Sequence, residues 1–227
     1  MQLDFSVVLA NLPALVSGGL MTLWVSFVSL ALGGLGALLL SFVVYSGRND
    51  HAVVLRSATA VYVSVFRGTP LLTQLIVIFY VVPQLLGLDA PPIAAAIVGL
   101  TLNTAAFQCE IYRSSLAALP KGQIEAARML GIGDWSMRLR ILFPQMLRLA
   151  LPALINEIVI ILKNSSLISV IAVTDLTRSA QQIAASTFRP TEVYITLAII
   201  YLVISFVITQ SGLFAERALA RRIRGRA

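Results

Sequence analysis

The sequence predicts an all-α, polytopic membrane protein with five transmembrane helices, and three observations predict it. First, 58% of the 227 residues are hydrophobic and only 12% charged, with a mean hydropathy of +0.89. A soluble domain of this size cannot cover so much apolar side chain with so few charges. Second, the run 15–45 carries no charge at all and exceeds the roughly 20 residues that cross a hydrocarbon core. In lipid such a run must satisfy its own backbone polar groups, which means helix. Third, 13 of the 17 Lys and Arg fall in alternate loops. Arg48 and Arg56 follow the first apolar run, six more lie between Arg113 and Arg148, and five crowd the last eleven residues (Arg217, Arg221, Arg222, Arg224, Arg226). Basic loops stay on the cytoplasmic side, so the N-terminus is expected outside and the C-terminus inside. The net charge of +7 thus reports topology and not a nucleic-acid site.

The elements follow in order. Residues 4–14 mix apolar and polar positions up to Pro13 and suit a short interfacial helix. Span one covers about 16–45, where Ser29, Gly33, Ala37 and Ser41 recur every four residues. That spacing makes a smooth ridge for close helix contact, or simply reflects the glycine enrichment of membrane helices. The stretch 48–56 reads as a short inside loop. Span two is interrupted at Arg67-Gly68-Thr69-Pro70, because Pro70 removes a backbone donor and Gly68 loosens the turn; it then runs to about Val82. An outside loop over 83–92 carries Asp89 and no basic residue. Span three runs from about Ile93 to Ala118, and a polar segment occupies 121–145. Span four starts near Leu149 and includes Glu157 and Lys163. The polar stretch 174–192 reads as an outside helix plus loop, and span five covers 193–213. No soluble domain and no internal duplication stand out, so 1–227 forms a single membrane domain.

The segment 121–145 is too polar to span a bilayer and too regular for a linker. Glu125-Ala126-Ala127 is followed by Gly131, Ile141 and Pro144, a spacing of E-A-A-x3-G-x9-I-x-L-P with Phe143 in the place of the last Leu. It describes a short helix, a glycine break, a second short helix and a proline stop. Asp134 is a candidate N-cap for the second helix. Ala126 and Ala127 leave a helix surface without bulk, where a partner's cleft can approach, and Glu125 and Arg128 give it charged edges. A solvated amphipathic hairpin lying on the membrane fits the same residues.

Catalytic chemistry finds little support. The chain has no G-x-x-x-x-G-K-[ST] phosphate loop, no paired His/Glu metal spacing and no Ser/His/Asp set. Cys109 is a lone cysteine in an apolar stretch and reads as a small buried residue; His51, the one histidine, reads as a solvated loop residue. An ionisable group inside a span is expensive and is by default a functional hypothesis. Asn103, Ala106 and Glu110 fall on one face at helical spacing, and Glu110 suits an ammonium group. Lys163, Asn164 and Ser165 suit a carboxylate or polar side chain, and Thr69 and Gln74 sit near the break in span two. For each of these an interhelix hydrogen bond, or an ion pair of Glu110 or Glu157 with a basic neighbour, is the structural alternative.

Taken together, Glu125-Ala126-Ala127, Gly131, Ile141 and Pro144 resemble the EAA signature of the membrane subunits of bacterial ABC importers. Phe66-Arg67-Gly68-Thr69-Pro70-Leu71-Leu72, Glu110-Ile111-Tyr112-Arg113, Pro120-Lys121-Gly122-Gln123, Pro144-Gln145 and Lys163-Asn164-Ser165-Ser166-Leu167 are similar to the polar amino-acid branch. That branch comprises the histidine, glutamine, glutamate and arginine type permeases. The resemblance covers nearly the whole chain in order. It implies a type I ABC importer permease fold in a bacterial cytoplasmic (inner) membrane. It also implies two permease subunits, identical or related, whose EAA helices seat in a dimer of ATP-binding subunits. ATP and Mg would then be bound by that partner, with no cofactor or metal in this chain. A binding protein on the outside would deliver the amino acid. Some relatives carry an acidic residue where this chain has Asn164, which loosens the link to an exclusively cationic substrate.

Two other classes of function remain to be separated from transport. A membrane anchor or sensor that only recruits an ATPase would tolerate loss of Glu110 or Lys163. A passive channel or small carrier would conduct without any partner and has no use for the EAA pattern.

Overall fold

The computed structural model describes residues 3–45 and 50–224, excepting the side chains of 42–52 and of those beyond 218. Arg48 and Arg226, and the side chains of His51, Arg221, Arg222 and Arg224, lie outside the described residues. The chain folds into helices α1 (Ser6–Ala10), α2 (Leu12–Tyr45), α3 (Asp50–Gly68), α4 (Leu71–Leu86), α5 (Pro92–Ala117), α6 (Lys121–Met129), α7 (Asp134–Ile171), α8 (Leu176–Thr187) and α9 (Pro190–Arg224). No strand occurs among the described residues.

Helices α2, α5, α7 and α9 are each long and apolar enough to cross a membrane, and the bent pair α3–α4 makes the fifth span. The break expected at Pro70 is there, as a bend of 108° between α3 and α4. Pro70 takes an extended conformation at the head of α4 (φ −63°, ψ 136°). Its ring locks φ and its nitrogen donates nothing, so α3 cannot run through it.

Several boundaries differ from the sequence reading for identifiable reasons. Pro13 does not end the first short helix but sits in the first turn of α2, where an absent N–H costs nothing. Residues 50–56, expected as loop, already have helical backbone in α3. Span two continues beyond Val82 to Leu86 and is closed by Gly87 at φ 63°. The helix that carries span four begins at Asp134, well ahead of Leu149, so Pro144 is no stop. Both α4 and α7 carry a π turn just ahead of a proline, at Val77–Val81 before Pro83 and at Arg138–Leu142 before Pro144. The wider i→i+5 turn lets the carbonyl that would meet the proline ring move aside, and the helix survives.

The small-residue ridge of α2 seats α5. Ala37 is fully buried, and Ser29 and Ser41 are buried beside it. A Cβ at Gly33 would lie 2.8 Å from Thr104 Cβ and 3.0 Å from the Thr101 carbonyl oxygen, so the two backbones approach closely only because that position has no side chain. Gly33→Val is expected to destabilise the bundle by about 1–3 kcal/mol, read as a lower thermal midpoint in detergent. Gly19, whose Cβ would meet nothing within 4 Å, serves as the tolerant control. Around this contact Val25, Leu75, Ala96, Leu100, Ile168 and Ile171 form the central apolar cluster.

At the opposite end from α6, the polar stretch 174–192 forms α8 and packs into the bundle. Leu176, Ala180, Ile183 and Ala184 cluster with Val8, Leu15 and Val193. Asp175 caps α8 by accepting a hydrogen bond from the Arg178 amide (2.8 Å), and the Leu176 amide donates to Thr22 Oγ1 (3.1 Å). The Asp4 amide donates to Glu192 Oε1 (3.2 Å), tying the start of the chain to the start of α9.

Candidate functional site

The polar segment 121–145 is a helical hairpin with its own small core. Leu119, Ala127, Met137 and Leu142 are buried against one another, with Ile124, Ile132 and Ile141 beside them. The turn after α6 is a Schellman arrangement: the Ile132 amide donates to the Ala127 carbonyl (3.0 Å) and the Gly131 amide to the Arg128 carbonyl (3.0 Å). Gly131 holds φ 70° there, a left-handed conformation that side chains with a Cβ enter only at a cost. Gln145 clamps the base by donating to Gln123 Oε1 (2.8 Å) and the Ile141 carbonyl (2.9 Å).

Two expectations about this hairpin are corrected. Asp134 is not the N-cap; Gly133 holds that position without a side-chain bond, and Asp134 lies in the first turn, where its charge suits the helix dipole. Ala127 does not face a partner but fills the hairpin's own core. Glu125 and Ala126 remain exposed, as does Arg128. The motif reading missed the apolar tip: Met129 is 89% exposed, Leu130 78% and Trp135 65%. Three large apolar side chains flanking the loop's glycines were the available signal.

The intramembrane candidates separate into three groups. Thr69, Gln74 and Asn103 come together at the bend. Gln74 Nε2 donates to the Phe66 carbonyl (2.8 Å), the Thr69 carbonyl (3.0 Å) and Thr69 Oγ1 (2.9 Å), while Asn103 Nδ2 donates to Gln74 Oε1 (3.0 Å). Gln74 thus gathers the carbonyls that α3 leaves open where it ends and pins the bend to α5. Gln74→Ala would strand Asn103 and those carbonyls at a cost of about 1–3 kcal/mol, and the thermal midpoint should fall measurably in detergent.

Glu110 is occupied elsewhere. Arg113 grips its carboxylate with both Nε (2.8 Å) and Nη2, and Arg67 Nη1 lies 3.8 Å away. The Arg67 guanidinium also stands over the Phe107 ring at 5.4 Å. An ammonium-binding role for Glu110 gives way to the ion-pair alternative, since its negative charge is already matched.

In the third group, Lys163 is exposed and Asn164 half-buried, whereas Ser165 is buried and donates to the Leu162 carbonyl (2.7 Å). Ser165 is therefore spent on its own helix as α7 tightens into a 3-10 turn over Ser165–Ile171. Glu157, two helical turns earlier, is 3% exposed, takes part in no ion pair among the described residues, and its Oε1 has no hydrogen-bond partner. A carboxylate left so in a span is costly, and this marks Glu157 above the residues that sequence spacing favoured.

Residues 37–225 match the family described as the binding-protein-dependent transport system inner membrane component. The chain belongs to this family. It is 36% identical to the arginine transport system permease protein of Bacillus subtilis (strain 168), over 96% of this chain and 98% of that protein. It is 34% identical to the glutamine transport system permease protein of Escherichia coli (strain K12), over 99% of each. Among solved structures, the crystal structure of an amino acid ABC transporter with histidines superposes with a TM-score of 0.86 at 35% identity, covering 96% of this chain and 100% of that one. This permease is accordingly a multi-pass membrane transport subunit and not an enzyme, and ATP hydrolysis sits in a separate subunit. An ATP-binding subunit and a substrate-binding protein belong to such a system.

Proposed function

We propose that this chain imports a polar amino acid across a bacterial inner membrane, working beside a second permease subunit, identical or related. Its hairpin would seat in an ATP-binding subunit that supplies both ATP and Mg. The observation that carries this reading is the hairpin tip. Met129, Leu130 and Trp135 stand largely exposed on a self-packed scaffold. Such a tip suits a groove in a water-soluble partner.

For the cargo, the two permeases of nearly equal similarity bear the names arginine and glutamine, whose common features are an α-ammonium and an α-carboxylate. The buried Glu157 carboxylate suits a cationic group, and the reachable Lys163 and Asn164 suit the carboxylate. The outside of the membrane would lie at the α8 end, where a binding protein delivers its ligand.

The test is reconstitution into liposomes with an ATP-binding subunit and a substrate-binding protein of its system. Uptake of a labelled amino acid should require ATP, both partners and an intact hairpin. Flux without the ATPase would point instead to a passive carrier. ATPase recruitment with no uptake of any amino acid would point to an anchor.

A further inference from the structure

Glu157 lacks a partner, and Arg67 has a partner that does not need it. The Glu157 side chain is buried and its Oε1 accepts no hydrogen bond. Arg67 Nη1 stands 3.8 Å from Glu110 Oε1, and 42% of the Arg67 side chain is exposed; so long and so wet an ion pair holds weakly. Glu110 does not depend on it, because Arg113 donates to the same carboxylate from Nε (2.8 Å) and from Nη2. Arg67 also borders a cavity of about 230 Å³ between α3 and α5, which leaves its guanidinium room to move off the Phe107 ring. Its charge already acts on Glu157, although no bond joins the two in this arrangement.

Both residues stand beside a joint. Arg67 directly precedes Gly68, whose would-be Cβ meets nothing within 4 Å, and the 108° bend follows. Glu157 lies beyond the π turn of Arg138–Leu142 and just beyond Pro152, the two places where α7 can flex. A push on the hairpin thus shifts Glu157 relative to α3. A buried, unpaired carboxylate favours whichever arrangement brings a cation to it.

We propose that Arg67 is a tethered counter-ion exchanged between two carboxylates. When the ATP-binding subunit drives α7, the guanidinium leaves Glu110 and closes on Glu157, while Arg113 keeps Glu110 matched. The driven arrangement thereby gains an ion pair that the described one lacks, and the exchange biases a two-state element. The carboxylate that suits a cationic group of the cargo is neutralised by the chain itself when no cargo is there.

This exchange rests on the coupling role of the hairpin. The experiment therefore uses the full permease assembled with its ATP-binding subunit, and vanadate trapping of nucleotide establishes that coupling before the pair is probed. Cargo and binding protein are left out, so failure of the amino-acid reading leaves both readouts unaffected. In a Cys109→Ala background, Arg67→Cys/Glu157→Cys should cross-link with a short bifunctional thiosulfonate about tenfold faster in the trapped complex than without nucleotide. Equal rates overturn the proposal. Thermal midpoints give a second reading through milder changes. In the trapped complex Arg67→Gln and Glu157→Gln should each lower the midpoint, and the double variant should fall no further than the lower single. Without nucleotide their effects should add. Arg67→Lys keeps the charge and should retain part of the coupling to Glu157. Additive effects in the trapped complex overturn the proposal, as does a coupling of equal size with and without nucleotide.

Discussion

Gly131→Val is expected to cut ATP-dependent uptake by at least about tenfold while the protein still inserts and folds in the membrane. A β-branched residue at φ 70° costs about 1–2 kcal/mol or more in backbone strain. The turn relieves that strain by giving up the Ile132 and Gly131 amide bonds that orient the tip. Met129, Leu130 and Trp135 then no longer stand together, and the partner's groove loses its ligand. Co-purification with the ATP-binding subunit reads the loss directly. The comparison that makes the result specific is Gly133→Ala. Gly133 has φ −59° and open space around its would-be Cβ, so that variant should couple normally. Equal loss in both would mean that the loop needs flexibility and not the left-handed turn. Glu125→Lys, which reverses an exposed charge on α6 without touching the turn, should weaken the same association less.

Substitutions at Glu157 are expected to separate stability from function. Glu157→Leu replaces a buried carboxylate that has an unpartnered oxygen by an apolar group of similar size, so it should raise the thermal midpoint of the purified protein by the equivalent of about 1–3 kcal/mol. The same variant should abolish substrate-stimulated ATP hydrolysis in the assembled transporter. Glu157→Gln keeps the shape and removes the charge, and should leave the fold intact with uptake reduced about tenfold or more. A Glu157→Leu variant that transports normally would return this residue to a purely packing role. The opposite pattern is expected at Glu110. Its loss strands Arg113 and Arg67, so Glu110→Ala should lower the midpoint before it affects cargo preference.

The two residues illustrate what the sequence carries and what it does not. Glu110 and Asn103 lie seven residues apart and share a helical face, which spacing alone reveals. Spacing does not reveal that Arg113, one turn on, and Arg67, from another helix, have already claimed the carboxylate. Glu157 was visible only as an acid in an apolar run, and its lack of a partner is a property of the packed bundle. Gly33 and Ala37 were legible because close packing between membrane helices needs small residues at a fixed period, whatever the partner. Pro70 and Pro144 were read by one rule and behaved differently. At Pro70 the preceding Gly68 gives the chain no reason to stay helical, and it bends. At Pro144 the chain had room to widen one turn, so the helix continued. The hairpin's motif residues were found, yet the large apolar side chains that face outward are its neighbours, because Ala127 and Ile141 serve the inner face that holds the tip in place.

That continuity at Pro144 has a mechanical meaning. The tip residue Trp135 and the tight turn at Ser165–Ile171 belong to one helix of 38 residues, an arm roughly 57 Å long at 1.5 Å per residue. No loop intervenes to absorb a push. The arm can yield only at the π turn of Arg138–Leu142 and at Pro152, where a backbone bond is missing. Glu157, Lys163 and Asn164 all lie beyond both joints. A displacement delivered at the tip would therefore reach them as a tilt of the upper arm, with α7 acting as a crank jointed at the π turn and at Pro152.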